Sequence, residues 1–163
     1  MPQMNFLCYL GARFHLPLNP VMQHSALLWV QIPVDNLQRA AGFYNNVFGF
    51  DFFFETLNNI PHAVFKKDAR GNRPVNGALV EMQNRGTESN GAILFFDATG
   101  RFEFITQSIE ENGGKILKAK TLITKKIEAT SSIIPDTYID DKPGYFVHFL
   151  DSEGNKMGLY GSN

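Results

Sequence analysis

The sequence predicts an α+β protein built from two tandem β-α-β-β-β modules. Three observations carry this expectation. An apolar, β-rich run followed by a capped amphipathic stripe and a glycine occurs twice; the spacing of these landmarks matches between the copies; and each copy continues into further short extended runs. The copies cover about residues 25–83 and 91–163, with 84–90 as a polar linker, and residues 1–24 read as an irregular N-terminal extension.

The first module opens with LLWVQIPV, Leu27 to Val34, which ends at Asp35-Asn36, a pair suited to capping a helix. Leu37, Ala40, Ala41, Tyr44, Val47 and Phe48 then follow at i, i+3, i+4, i+7, i+10 and i+11, the stripe of an amphipathic helix. Gly49 can take the left-handed conformation that ends a helix, and FDFFFE restarts an extended run. PHAVFK (Pro61 to Lys66) and NGALVEM (Asn76 to Met82) complete the module, joined by the polar loop DARGNRP.

The second module repeats the order. AILFFD (Ala92 to Asp97) is the strand, Thr99 or Asp97 the expected cap, and Phe102, Ile105 and Ile109 the apolar stripe. Asn112-Gly113-Gly114 stops the helix and KILKAKTLI resumes the sheet. GYFVHFL and KMGLY form a closing hairpin across the turn DSEGN, where Gly154 and Asn155 tolerate positive φ. Leu28 to Gly49 is 21 positions and Ile93 to Gly113 is 20, so the two halves keep one spacing. Residues 124–142 are an insertion peculiar to the second half.

Composition narrows the function classes. In 163 residues, 44% are hydrophobic and fifteen are phenylalanine, enough for a real core. Fifteen Lys plus Arg against sixteen Asp plus Glu leave a net charge of −1, so no broad basic footprint for nucleic acid or an anionic membrane is expected. The lysines at 115, 118, 120, 125 and 126 read as a solvated strand and loop face. The single cysteine, Cys8, cannot form an intrachain disulfide and fits a reducing compartment. No apolar stretch approaches the roughly 20 residues needed to cross a bilayer, and the N-terminus lacks a signal-peptide pattern, so the expected location is cytoplasmic. Phosphate-loop and nucleophile-elbow motifs are absent, and His15, His24 and His62 share no metal-ligand spacing.

The duplicated module, with VDNLQRAAGFYNNVFGF after the first strand and PGYFVHFLDSEGNKMGL at the end, resembles the vicinal oxygen chelate superfamily: glyoxalase I, extradiol dioxygenases, fosfomycin resistance enzymes and bleomycin resistance proteins. Within it, WVQIPV is similar to the first strand of a glyoxalase-related branch, and the resemblance covers about Ala26 to Tyr160. It implies that each module curls into a half-barrel and that two half-barrels enclose a cavity, often in a homodimer. It also implies a divalent metal held by a His on the first strand of each module and by carboxylates on the last strands.

Aligned on the same motifs, this chain has Trp29 and Ile93 at the two His positions and Gly158 at the final carboxylate, leaving Glu81 as the one ligand that matches. The usual metal centre is therefore not expected, and no other cofactor is implied. By strand alternation Gln31 shares a face with Trp29, and Tyr160 with Gly158, while His148 lies on the strand paired with them. Ligand contacts are expected from Trp29, Gln31 and Tyr160. For His148 three readings stand: a half-buried strand histidine, a ligand contact acting as acid or base, or a metal ligand. The functional expectation is a small-molecule binder, acting as a lyase or isomerase without the usual metal. The alternatives are a non-catalytic protein that sequesters its ligand and a metal enzyme with relocated ligands.

Overall fold

The computed structural model describes residues 27–67, 76–82, 91–127, 130–133 and 142–163. The extension 1–24 with Cys8, His15 and His24, the loop DARGNRP and the linker 84–90 lie outside the described residues.

Module one runs β1 (Val30–Val34), α1 (Leu37–Phe48), β2 (Phe52–Leu57), β3 (Ile60–Phe65) and β4 (Gly77–Glu81). Module two runs β5 (Phe95–Asp97), α2 (Phe102–Glu111), β6 (Lys115–Leu122), β7 (Thr124–Ile127), β8 (Thr130–Ile133), β9 (Gly144–Leu150) and β10 (Lys156–Ser162). The β-α-β-β-β order is thus present twice, and the 124–142 insertion contributes the hairpin β7-β8.

Each module folds into a four-stranded mixed sheet, β1-β4-β3-β2 and β5-β10-β9-β6. In both, the first strand runs parallel to the last and lies at the sheet edge. An edge is where Pro33 can be accommodated, because it has no N–H to give to a second neighbour.

The two helices form where the stripes lie, but their caps differ. Asn36 accepts from the Arg39 N–H at 2.8 Å, and Gly49 ends α1 at φ 72°. In α2 the expected caps do not cap: the N-cap position is Arg101, with no side-chain bond. Asp97 instead accepts from the Thr99 N–H two residues on at 2.9 Å, so its carboxylate shapes the turn ahead of the helix. The first strand of module two is also shorter than AILFFD, spanning Phe95–Asp97, with the Leu94 carbonyl accepting from the Gly158 N–H at 2.8 Å. In the DSEGN turn Gly154 takes positive φ, 81°, whereas Asn155 does not.

The core lies between the helices and one face of each sheet, and is shared between the modules. Ile32, Phe65 and Leu79 of sheet one, and Val147, Phe149 and Leu159 of sheet two, are fully buried beside Tyr44, Phe102, Ile105 and Ile109. Phe48 of α1 stacks on Phe96 of β5 at 4.5 Å, and Phe43 lies 6.5 Å from Phe149. Burying each such side chain stabilises by about 1.5–3 kcal/mol, which favours one joint core over two small ones. The opposite faces of the sheets are covered unevenly: in sheet one Phe53 and Leu57 are exposed, whereas His62, Ala78 and Val80 on the same face are buried. These faces carry Gln31, Phe53 and Glu55 in sheet one, with Trp29 just ahead of β1, and Phe95, His148, Gly158 and Tyr160 in sheet two.

Candidate ligand-binding site

The turn between β9 and β10 joins the modules, and it does so through two carboxylates whose burial sequence reasoning missed. Asp151 accepts from the backbone N–H groups of Glu153 (2.9 Å) and Asn155 (2.8 Å), from the Asn155 side chain (2.8 Å) and from the Tyr44 hydroxyl (2.8 Å). Burial, then the charge and hydrogen bond of Asp151, push the Tyr44 phenol well above its usual range. Glu153 reaches across to module one. It accepts from the N–H groups of Asp35 (2.9 Å) and Asn36 (3.1 Å) and from Arg39 Nε (2.6 Å) and Nη2 (3.0 Å). Asn155 donates to the Pro33 carbonyl at 2.9 Å. The sequence signal for this junction was the D-x-E-G-N turn itself, whose spacing was legible while its partners were not.

A cleft of about 810 Å³ lies along this junction. Trp29, just before β1, and Gln31 and Pro33 of β1 form one wall, and Ile93, Asn155 and Met157 stand among the residues of module two that line it. Trp29 is 42% exposed. The cleft thus brings together two of the four expected contact residues, Trp29 and Gln31.

His148 and Tyr160 do not line the cleft; they stand on the open face of sheet two. His148 is paired with Gly158 in β10, and Tyr160 with Phe146 in β9. Both are half-buried, and no hydrogen bond joins them among the described residues. Burial and the positive charges of Lys156 and Lys118 hold the His148 imidazole below its ordinary range, so it is mostly neutral at pH 7.

The metal positions can be tested against the side chains present. Trp29 and Ile93 carry no donor atom that a divalent cation uses, and Gly158 carries no side chain at all. A Cβ built on Gly158 would meet the Phe95 ring at 2.3 Å, so an aromatic ring lies where a carboxylate stem would start. Glu81, the remaining match, pairs with Val34, which places it by register on the helix face, away from Trp29 and Gln31. Among the described residues no group of three or more His, Cys, Asp or Glu side chains gathers to hold a metal. The described donor set does not fit the family's metal.

Among the described residues no helix is long and apolar enough to cross a membrane. His62 is buried on β3 with Nδ1 2.7 Å from the Ile60 carbonyl, a local contact with no metal partner.

With the fold and cleft defined, comparison with known proteins places the chain. The family profile of the glyoxalase/bleomycin resistance protein/dioxygenase superfamily matches residues 26–157. The chain belongs to that superfamily. Solved structures agree at the level of the fold. The fosfomycin resistance protein FosX of Listeria monocytogenes, complexed with Mn(II) and sulfate, is 14% identical with a TM-score of 0.55, over 86% of this chain and 94% of that one. A glyoxalase I variant from Zea mays is 18% identical with a TM-score of 0.54; the match covers 83% of this chain and 45% of the maize chain. A hypothetical protein of S. aureus is 14% identical with a TM-score of 0.50, over 86% and 99% of the two chains. A search of curated proteins finds no match.

Proposed function

We propose that this chain binds a small organic molecule in the cleft between its modules, and does so without the divalent metal centre usual in its superfamily. One observation carries the reading. Two of the residues that stand at the metal-donor positions, Trp29 and Ile93, line the cleft. Such a lining suits an apolar or flat body, with Gln31 available for one directed hydrogen bond.

Trp29 is the one tryptophan of the chain, so its fluorescence reports on the cleft. Compounds selected by thermal shift are expected to quench or shift that emission, and W29F should remove the signal. Elemental analysis of protein purified without chelators is expected to find far less than one metal per chain. A stoichiometric Mn, Fe, Ni or Zn would instead support relocated ligands.

The lyase or isomerase reading uses His148 as acid or base and Tyr160 as a hydrogen-bond donor, both supported by their shared open face. Sequestration without chemistry is favoured for a molecule confined to the cleft, because His148 is not among its walls. Turnover that is lost in H148Q separates the two. A homodimer is also proposed: Phe53, Leu57 and Ile60 are exposed together on the face of sheet one opposite the core, an apolar surface for a second copy. Light scattering at micromolar concentration is expected to give twice the chain mass, and F53D to lower it.

A further inference from the structure

Beside the cleft, the open face of sheet two gathers positive charge around aromatic rings. Phe95, Gly158, His148 and Lys118 form one row across all four strands. Lys156 and Phe146 lie two residues along their strands from Gly158 and His148, on the same face. The His148 ring sits 5.7 Å from that of Phe95 and 5.2 Å from that of Phe146, and Lys118 Nζ stands 4.8 Å from the Phe146 centroid.

Lys118 holds this place because β6 is bulged. Its register steps from Ile116 opposite Phe149 to Lys118 opposite His148, leaving Leu117 as the extra residue. In an unbroken ladder Leu117 would face His148 and Lys118 would turn to the other side of the sheet. The bulge therefore exchanges an apolar side chain for a cation beside His148.

No carboxylate pairs with Lys118 or Lys156 among the described residues. The remaining charged or titratable groups of this face are Lys115 on β6, and Asp97 and Tyr160 one row away, where Asp97 is bound to the Thr99 N–H. The local balance is cationic, and the half-buried imidazole is held below its ordinary range by burial first and then by Lys156 and Lys118. An anion placed among them would offset that repulsion.

We propose that this face binds organic anions with a flat or apolar body, the anionic group seated near Lys118, Lys156 and His148 and the body against Phe95 and Phe146. The inference rests on the reading of the chain as a small-molecule binder and specifies its ligand class. Lys156 also lines the cleft, so the two surfaces adjoin.

The test titrates the full, isotope-labelled chain with 1-naphthoate and, in parallel, with the neutral 1-naphthamide. NMR follows the His148 ring, assigned with H148Q, and the Trp29 indole N–H. Naphthoate is expected to shift His148 and raise its pKa toward or above the ordinary value, to bind more tightly as pH falls and His148 protonates, and to exceed naphthamide about tenfold. K118A and K156A should each weaken naphthoate about fivefold, as expected for partly screened charges; Lys118 is exposed, so its variant should fold. A His148 response without one from Trp29 supports the anion site and counts against the cleft. Trp29 responding alone overturns the anion site and leaves the cleft reading standing. Silence at both residues, or equal binding of naphthamide, overturns the anion site.

Discussion

Glu153 shows how much one side chain can carry when it is fully buried and its partners are backbone. Its side chain has no exposure, whereas that of Arg39, its ion-pair partner, is 55% exposed. Removing the carboxylate leaves the Asp35 and Asn36 N–H groups without their acceptor, so E153A is expected to cost about 2–3 kcal/mol in urea unfolding. R39A removes an exposed guanidinium but takes two hydrogen bonds from the buried carboxylate, which keeps its backbone donors, so it should cost less, about 1–2 kcal/mol. The reverse order would mean that the ion pair, and not the backbone contacts, holds the junction.

Tyr44 is the other residue whose role is set by burial. Burial and the neighbouring Asp151 raise its phenol well above the ordinary value of about 10, so above pH 10 the unfolded chain loses a proton that the native chain keeps. The stability it contributes is full below that value and declines as pH rises. Wild type is therefore expected to lose stability progressively above pH 10, while Y44F shows a shallower decline. At pH 7, Y44F should cost about 1–2 kcal/mol, since Asp151 loses one of its donors.

At the scale of elements, the β5-β10 edge explains why the family's carboxylate would not simply return on mutation. Any side chain at Gly158 must displace the Phe95 ring, which is 49% exposed and can move outward only by giving up its packing. G158A is expected to cost about 1–3 kcal/mol. F95A should relieve much of that cost, and a thermal-denaturation double-mutant cycle should give a coupling of about 1 kcal/mol or more. Simple additivity would show that the ring does not occupy the space.

For the whole molecule, the shared core predicts one unfolding event. Phe48 on Phe96 and Phe43 near Phe149 tie α1 to sheet two, and the Glu153 junction ties the second turn to β1. Thermal unfolding followed by Trp29 fluorescence, which reports module one, and by NMR signals of Val147 and Leu159 in module two should coincide. Separate midpoints would mean that the modules fold independently.

Local patterning determined the modules, and it did so because strand alternation and helical periodicity are properties of neighbours in sequence. The α1 stripe, the Asn36 cap, Gly49 and the pairing of His148 with Gly158 all follow from such spacing. The same landmarks put Trp29, Ile93 and Gly158 at the positions where the family resemblance implies metal donors. Tertiary structure decided what local spacing does not encode. Glu153 meets Asp35 from 118 residues away, a bulge at Leu117 turns Lys118 toward His148, and Phe95 lies over Gly158 from a neighbouring strand. A one-residue register step reverses the face of every side chain after it, and long-range partners depend on how the two sheets come together. For that reason the sequence named His148 and Trp29 as candidates, and only the fold assigned one to a cationic aromatic face and the other to the cleft.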